Sequence, residues 1–167
     1  MSMTLPAPAS APLSAPADLT LAQLTARTGL DVLGHLEREV TIPVVDGLQA
    51  QGDLIVIPCA LLDQVSEAPH AHWRYVPAAG VELLRSAAGG NPHTLAADPR
   101  TCRWTTGVYD RQGLALGMID TTAVAYLIHP EHGGTGIAPG RYVVRRQRER
   151  TNTGPGRLRS DSRLIAD

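Results

Sequence analysis

From Val40 to Val144 the chain is cut by turn signals into short runs of β-branched and aliphatic residues, and this rhythm constrains the fold more than any other feature. The runs are Val40–Val45, Leu54–Ile57, Trp73–Val76, Val81–Leu84, His93–Leu95, Cys102–Thr105, Leu114–Ile119, Ala123–His129 and Tyr142–Val144. Between them fall Asp46-Gly47, Gly80, Gly89-Gly-Asn-Pro92, Asp98-Pro99, Asp110-Arg-Gln-Gly113 and Pro139-Gly140. Strand-length segments at this spacing predict a mainly β domain, a compact antiparallel barrel or sandwich over 40–150. The missing alternation of helix and strand argues against a doubly wound α/β fold. Along Ala123–His129, Ala125 and Leu127 share one face while Val124, Tyr126 and Ile128 share the other, so both faces are apolar and the strand is expected in the middle of a sheet.

The N-terminal part follows other rules. Prolines at 6, 8, 12 and 16 forbid a stable helix, and residues 1–17 read as a disordered Pro/Ala-rich arm. Asp18 to Arg27 carries Leu19, Leu21, Ala22 and Leu24 at helical spacing, with Asp18 or Thr20 available as a cap. Thr28-Gly29 stops that helix, and Asp31 to Glu39 is expected to form a second, giving a helical hairpin over 18–39 packed on the β domain. A helix-turn-helix is disfavoured, because the second segment has few base-reading side chains and no third helix follows.

Composition narrows the classes. The 167 residues are 43% hydrophobic and 19% charged with net charge −1, so the bulk is globular and no general polycation. Aromatics are 4% with no Phe, which leaves Leu, Val, Ile and Ala to build the core. All 15 basic residues are arginine, a bias that a GC-rich genome explains and that also suits forked recognition of phosphate or carboxylate. Cys59 and Cys102 form no CxxC and read as buried reduced thiols of a cytoplasmic bacterial protein. No run spans a membrane and no signal-peptide pattern is present.

Chemistry concentrates in the stretch from His129 to Arg150. His129-Pro-Glu-His132 ends the expected central strand, so a turn can aim two imidazoles at one point with Glu131 beside them. A divalent metal such as zinc needs a third ligand, and His93, at the entry to another strand, is the candidate. In that scheme Glu131 is the general base. HxxH away from a helix is weak by itself, and histidines at strand ends often just satisfy backbone groups. His70-Ala-His72 invites comparison with cupins, but no Glu follows in range, so that match fails at its most specific motif. No GxSxG, P-loop or GxGxxG is present, and Gly133-Gly-Thr-Gly136 reads as a loop.

Arg141, Arg145, Arg146, Arg148 and Arg150 load the last run, and residues 141–163 hold eight arginines against Glu149 and Asp161. An edge strand guarded by charge, with a solvated tail over 151–167, is one explanation. Docking of an acidic partner or neighbouring subunit is a second, and nucleic-acid backbone contact a third.

Gln51-Gly-Asp-Leu-Ile-Val, Gly90-Asn-Pro-His93-Thr-Leu, His129-Pro-Glu-His132 and Pro139-Gly-Arg-Tyr-Val-Val-Arg-Arg-Gln-Arg-Glu149 occur in one order. This set resembles a group of small bacterial and phage-encoded β-rich proteins of uncharacterised function. The resemblance covers about residues 50–150 and implies that His93, His129, His132 and the Arg-Gln-Arg strand belong to one recurrent design. It supplies no activity, substrate or cofactor. The sequence therefore favours a non-enzymatic β domain that binds a protein partner, within a homo-oligomer or larger assembly. A small metal-dependent enzyme built on the histidines and a nucleic-acid binder using the arginine tail are the alternatives.

Overall fold

The computed structural model describes residues 19–85, 90–150 and 162–164. The expected arm lies outside them, as does most of the tail. One helix, α1 (Leu21–Thr28), precedes fifteen strands: β1 (Val44–Val45), β2 (Gln49–Gln51), β3 (Leu54–Pro58), β4 (Val65–Glu67), β5 (Arg74–Tyr75), β6 (Val81–Arg85), β7 (Pro92–Ala96), β8 (Cys102–Thr105), β9 (Val108–Asp110), β10 (Ala115–Thr121), β11 (Ala125–His129), β12 (Gly133–Ile137), β13 (Gly140–Arg146), β14 (Arg148–Arg150) and β15 (Ser162–Leu164). Five strands form one sheet in the order β1-β12-β11-β7-β6, and six form another in the order β2-β3-β13-β10-β8-β5. The pairs β14-β15 and β4-β9 stand apart.

The protein is mainly β, as the turn rhythm predicts. Among the described residues neither large sheet closes on itself, so there is no closed barrel. Pairing is antiparallel except at β1, which runs parallel to β12 with Val44 opposite Gly136 and Val45 opposite Ile137.

The two sheets share one core. Leu84, Leu95, Ala125, Leu127 and Ile137 from the five-stranded sheet meet Leu54, Val56, Cys102, Ile119, Tyr142 and Val144 from the six-stranded sheet. β11 is buried along its whole length. Its alternation sends Ala125 and Leu127 into this core and Tyr126 and Ile128 to the opposite face. There Leu19, Leu21, Leu24, Val32 and Ile42 cover them. Each large side chain so buried contributes roughly 1.5–3 kcal/mol.

The helical hairpin is corrected to a single helix. Thr20 and Gln23 close a capping box at the start of α1, and Gly29 ends it in the left-handed region at φ 70°. Residues 31–39 form turns and bends instead of a second helix. Val32 is buried there while Leu33 is largely exposed, and the Leu33 N–H donates to the Pro130 carbonyl. The Arg38 and Val40 carbonyls accept from the Ala22 and Leu21 N–H groups, so this segment gives its carbonyls to the start of α1 in place of a helical ladder of its own.

The glycine run is corrected from loop to strand. Gly133–Ile137 is β12, paired on both sides between β1 and β11. A side chain at Gly134 would lie 3.2 Å from Leu24 Cδ2, and one at Gly136 would lie 2.8 Å from Val44 Cγ2 and 3.3 Å from the Pro43 carbonyl oxygen. The strand lacks side chains because helix and edge strand sit directly on it. Gly136→Val is expected to destabilise the fold by about 1–3 kcal/mol through overpacking. Gly34→Ala, which adds a methyl group to open space, should change it little. Urea unfolding of the two variants measures the difference.

Candidate functional site

The β11–β12 hairpin pairs His129 with Gly133 and encloses Pro130, Glu131 and His132 in its turn. Gly133 takes φ 77°, a conformation that costs a side-chain-bearing residue. His93 sits on β7 two residues before Leu95, so its side chain shares the core-facing side of the sheet with His129. The three imidazoles converge. Ring centroids are 4.3 Å apart for His93 and His129, 4.5 Å for His129 and His132, and 6.3 Å for His93 and His132. His93 is 1% exposed and His129 2%, whereas His132 is exposed, so the rings step from the interior to the surface.

The inner end of this column is fixed by the β2–β3 hairpin. Gln51 on β2 and Asp53 just after it are both buried. His93 Nδ1 lies 3.2 Å from Gln51 Oε1, and its Nε2 lies 3.1 Å from Asp53 Oδ1. The Gln51 amide nitrogen donates to the Leu127 and Gly133 carbonyls, which orients the amide with its oxygen toward His93. His93 therefore faces two acceptors. Burial, and next the neighbouring His129, push the His93 pKa down from 6.5 to about 4 against the pull of Asp53. A neutral ring has one N–H for two oxygens, so one of these contacts lacks a proton.

The outer end is organised by Asn91. Its backbone carbonyl lies 3.2 Å from His129 Nε2, and its side-chain amide donates to Glu131 Oε1 at 3.0 Å. The Glu131 N–H donates to His129 Nδ1 at 3.2 Å. These bonds assign the proton of His129 to Nε2, and its Nδ1 lone pair accepts the Glu131 N–H of the turn. One ligand atom each from His129, Glu131 and His132 lies within 4.8 Å of the others. The expected trio of His93, His129 and His132 is thus assembled as rings, but the nitrogens of His93 engage Gln51 and Asp53, and Glu131 joins the outer group in its place. His70 and His72 are not part of the cluster.

Gln51, Asp53 and Asn91 were not singled out by the sequence reading. The available signal was two glutamines in alternation, Gln49 and Gln51, ahead of a Gly-Asp turn and an apolar strand. Both glutamines are buried. Polar residues in phase with a buried face need partners there.

The arginines are placed differently from expectation. β13 is an interior strand between β3 and β10, so the charge-guarded edge is corrected. Arg145 has only 11% of its side chain exposed and pairs with Asp110, whose carboxylate also accepts from the Leu114 and Ala115 N–H groups. Arg141 pairs with Glu67 and lies over the Trp73 ring. Arg146 is half-buried on β13, while the side chains of Arg148 and Arg150 fall outside the described residues. Both cysteines are free; Cys102 is buried and its thiol is pushed up to about 11 by burial, which removes it as a nucleophile.

A family model described as a domain of unknown function, DUF8820, matches residues 50–147. The chain belongs to the DUF8820 family. No curated protein and no solved structure matches it. The DUF8820 match contains Gln51, Asp53, Asn91, His93, His129, Glu131 and His132. It leaves out α1 and the segment through Ile42, which cover the outer face of β11, and the edge strand β1. No described helix is long and apolar enough to cross a membrane.

Because the folded His93 pKa lies below its ordinary value of 6.5, the unfolded chain takes up this proton first. Stability is then fully present above about pH 6.5 and falls as the pH drops toward 4. Thermal melts across this range in chelator should show the loss, and His93→Asn should flatten it. Asp53→Asn supplies an N–H to the His93 lone pair and is expected to hold or raise the melting temperature at pH 7.

Proposed function

We propose that this is a two-layer β-sandwich domain that binds a divalent transition-metal ion, zinc by preference, at the β11–β12 turn. His129, Glu131 and His132 are the ligands. The observation that carries this reading is the double role of Asn91, whose carbonyl holds the non-ligating nitrogen of His129 and whose amide holds the carboxylate of Glu131. A ring N–H given to a backbone carbonyl, and a carboxylate steadied by a neighbour, are the supports that metal ligands carry. Ligand atoms around a tetrahedral ion sit about 3.4 Å apart. The exposed side chains of Glu131 and His132 close that gap by rotation, and the Glu131 N–H gives up His129 Nδ1 so that this lone pair turns to the ion.

Three protein ligands leave a position for water or substrate, as catalytic sites do. His132 also lines a cleft of about 180 Å³ with Leu36, Val40, Ile42, Pro43 and Glu37. A space of that size admits a small apolar group beside the ion. The cytoplasm is the compartment most consistent with two free cysteines.

Equilibrium dialysis with elemental analysis should find one zinc per chain. His132→Ala should weaken binding by at least 100-fold, and Asn91→Ala by about 10- to 100-fold. Absence of stoichiometric metal, or full affinity in His132→Ala, refutes the proposal.

A second reading, a non-enzymatic binding domain, draws on the β1 edge of the same sheet. β1 is an edge strand, and Val40, Val44 and Leu48 around it are 53%, 41% and 62% exposed. An apolar edge of this kind pairs readily with a second copy or a partner strand. Sedimentation should then show a concentration-dependent dimer that Val44→Lys abolishes; a strict monomer at high concentration excludes self-pairing.

A further inference from the structure

A second concavity lies where the inter-sheet core opens at its side. β5 and β6 are the outermost strands of the two sheets, and a groove of about 590 Å³ runs by them, lined by His72, Arg74, Tyr75, Val81, Trp104 and Thr106 among others. None of its lining residues belongs to the histidine cluster. It is larger than the cleft at His132 and falls in the range of small-molecule sites.

Two features give this groove a chemistry. The first is a fixed aromatic surface. A side chain at Gly117 would lie 2.5 and 2.6 Å from two carbons of the Trp104 six-membered ring and 2.3 Å from the Thr105 carbonyl oxygen. The glycine lets the indole rest directly on β10, and Trp104 packs against the shared core. The second is charge of one sign. Arg74 is the cross-strand partner of Trp104 and so projects on the same face, His72 is adjacent, and no carboxylate is among the lining residues.

We infer that this groove is a nucleotide site. A base stacks on Trp104, and its phosphate meets Arg74, with His72 beside it. Aromatic stacking joined to arginine is the chemistry that holds phosphorylated bases, free or within a single strand.

Trp73 and Trp104 are the two tryptophans, so Trp73→Phe leaves Trp104 as the reporter. Titration of this variant with AMP, adenosine and a short oligo(dT) should give saturable quenching. Adenosine should bind about tenfold more weakly than AMP. Saturation by AMP assigns a free nucleotide; saturation by oligo(dT) alone, with steep salt dependence, assigns a single strand. Arg74→Glu, at an exposed position, should weaken either ligand at least tenfold. Calorimetric titration of the wild type gives the same readout without any substitution. The inference fails if neither AMP nor oligo(dT) saturates, or if Arg74→Glu leaves the affinity of the bound ligand unchanged.

Discussion

The burial of β11 on both faces is the constraint on which the rest of the structure depends. Ala125 and Leu127 help close the core between the sheets, while Tyr126 and Ile128 need cover on the other side. That cover comes from α1 and the segment through Ile42, which lie outside the family match. The N-terminal segment is therefore part of the hydrophobic structure of this chain. It also reaches the site: the Leu33 N–H bonds the Pro130 carbonyl, so the layer over β11 buttresses the turn that carries Glu131 and His132.

The glycines of β12 follow from the same constraint. A strand between β11 and β1 with a helix over it has no room for side chains at 134 and 136. Their absence brings Leu24, Ile42 and Val44 onto the backbone. Glycine is a poor strand residue by its entropy, so close approach must offset that cost. At Gly117 the same device lays Trp104 flat on β10. Gly117, Gly134 and Gly136 mark where something larger rests, whereas Gly34 faces open space.

Polar groups are buried where the two sheets can share them. Gln51 reaches across to the Leu127 and Gly133 carbonyls, and with Asp53 it brackets His93. This ties the β2–β3 hairpin of one sheet to β7, β11 and β12 of the other by hydrogen bonds that tolerate little displacement. The outer histidines inherit that rigidity through ring contacts, so the exposed end of the column stands on a fixed base. Asp110 acts similarly elsewhere, holding the Arg145 guanidinium together with the N–H groups of its own turn.

Local pattern determined the β class, most strand positions from Leu54 to Val144, the central place of β11 and the candidacy of His93, His129, His132 and Glu131. These depend on alternation and turn residues, which act over a few neighbours. Apolar spacing over 31–39 predicts a second helix but does not show that the backbone there bonds to the start of α1 and to the β11–β12 turn. The glycine loop was misread because glycine signals both turns and close approach, and only the element lying on it decides which. Arg145 is drawn inward because Asp110, 35 residues away in the chain, stands beside it, whereas Arg141 stays exposed although it pairs with Glu67. Asn91, Gln51 and Asp53 became legible only once two hairpins distant in sequence met. Side-chain type is written in the sequence; which donors and acceptors face one another is set by the packing of the two sheets.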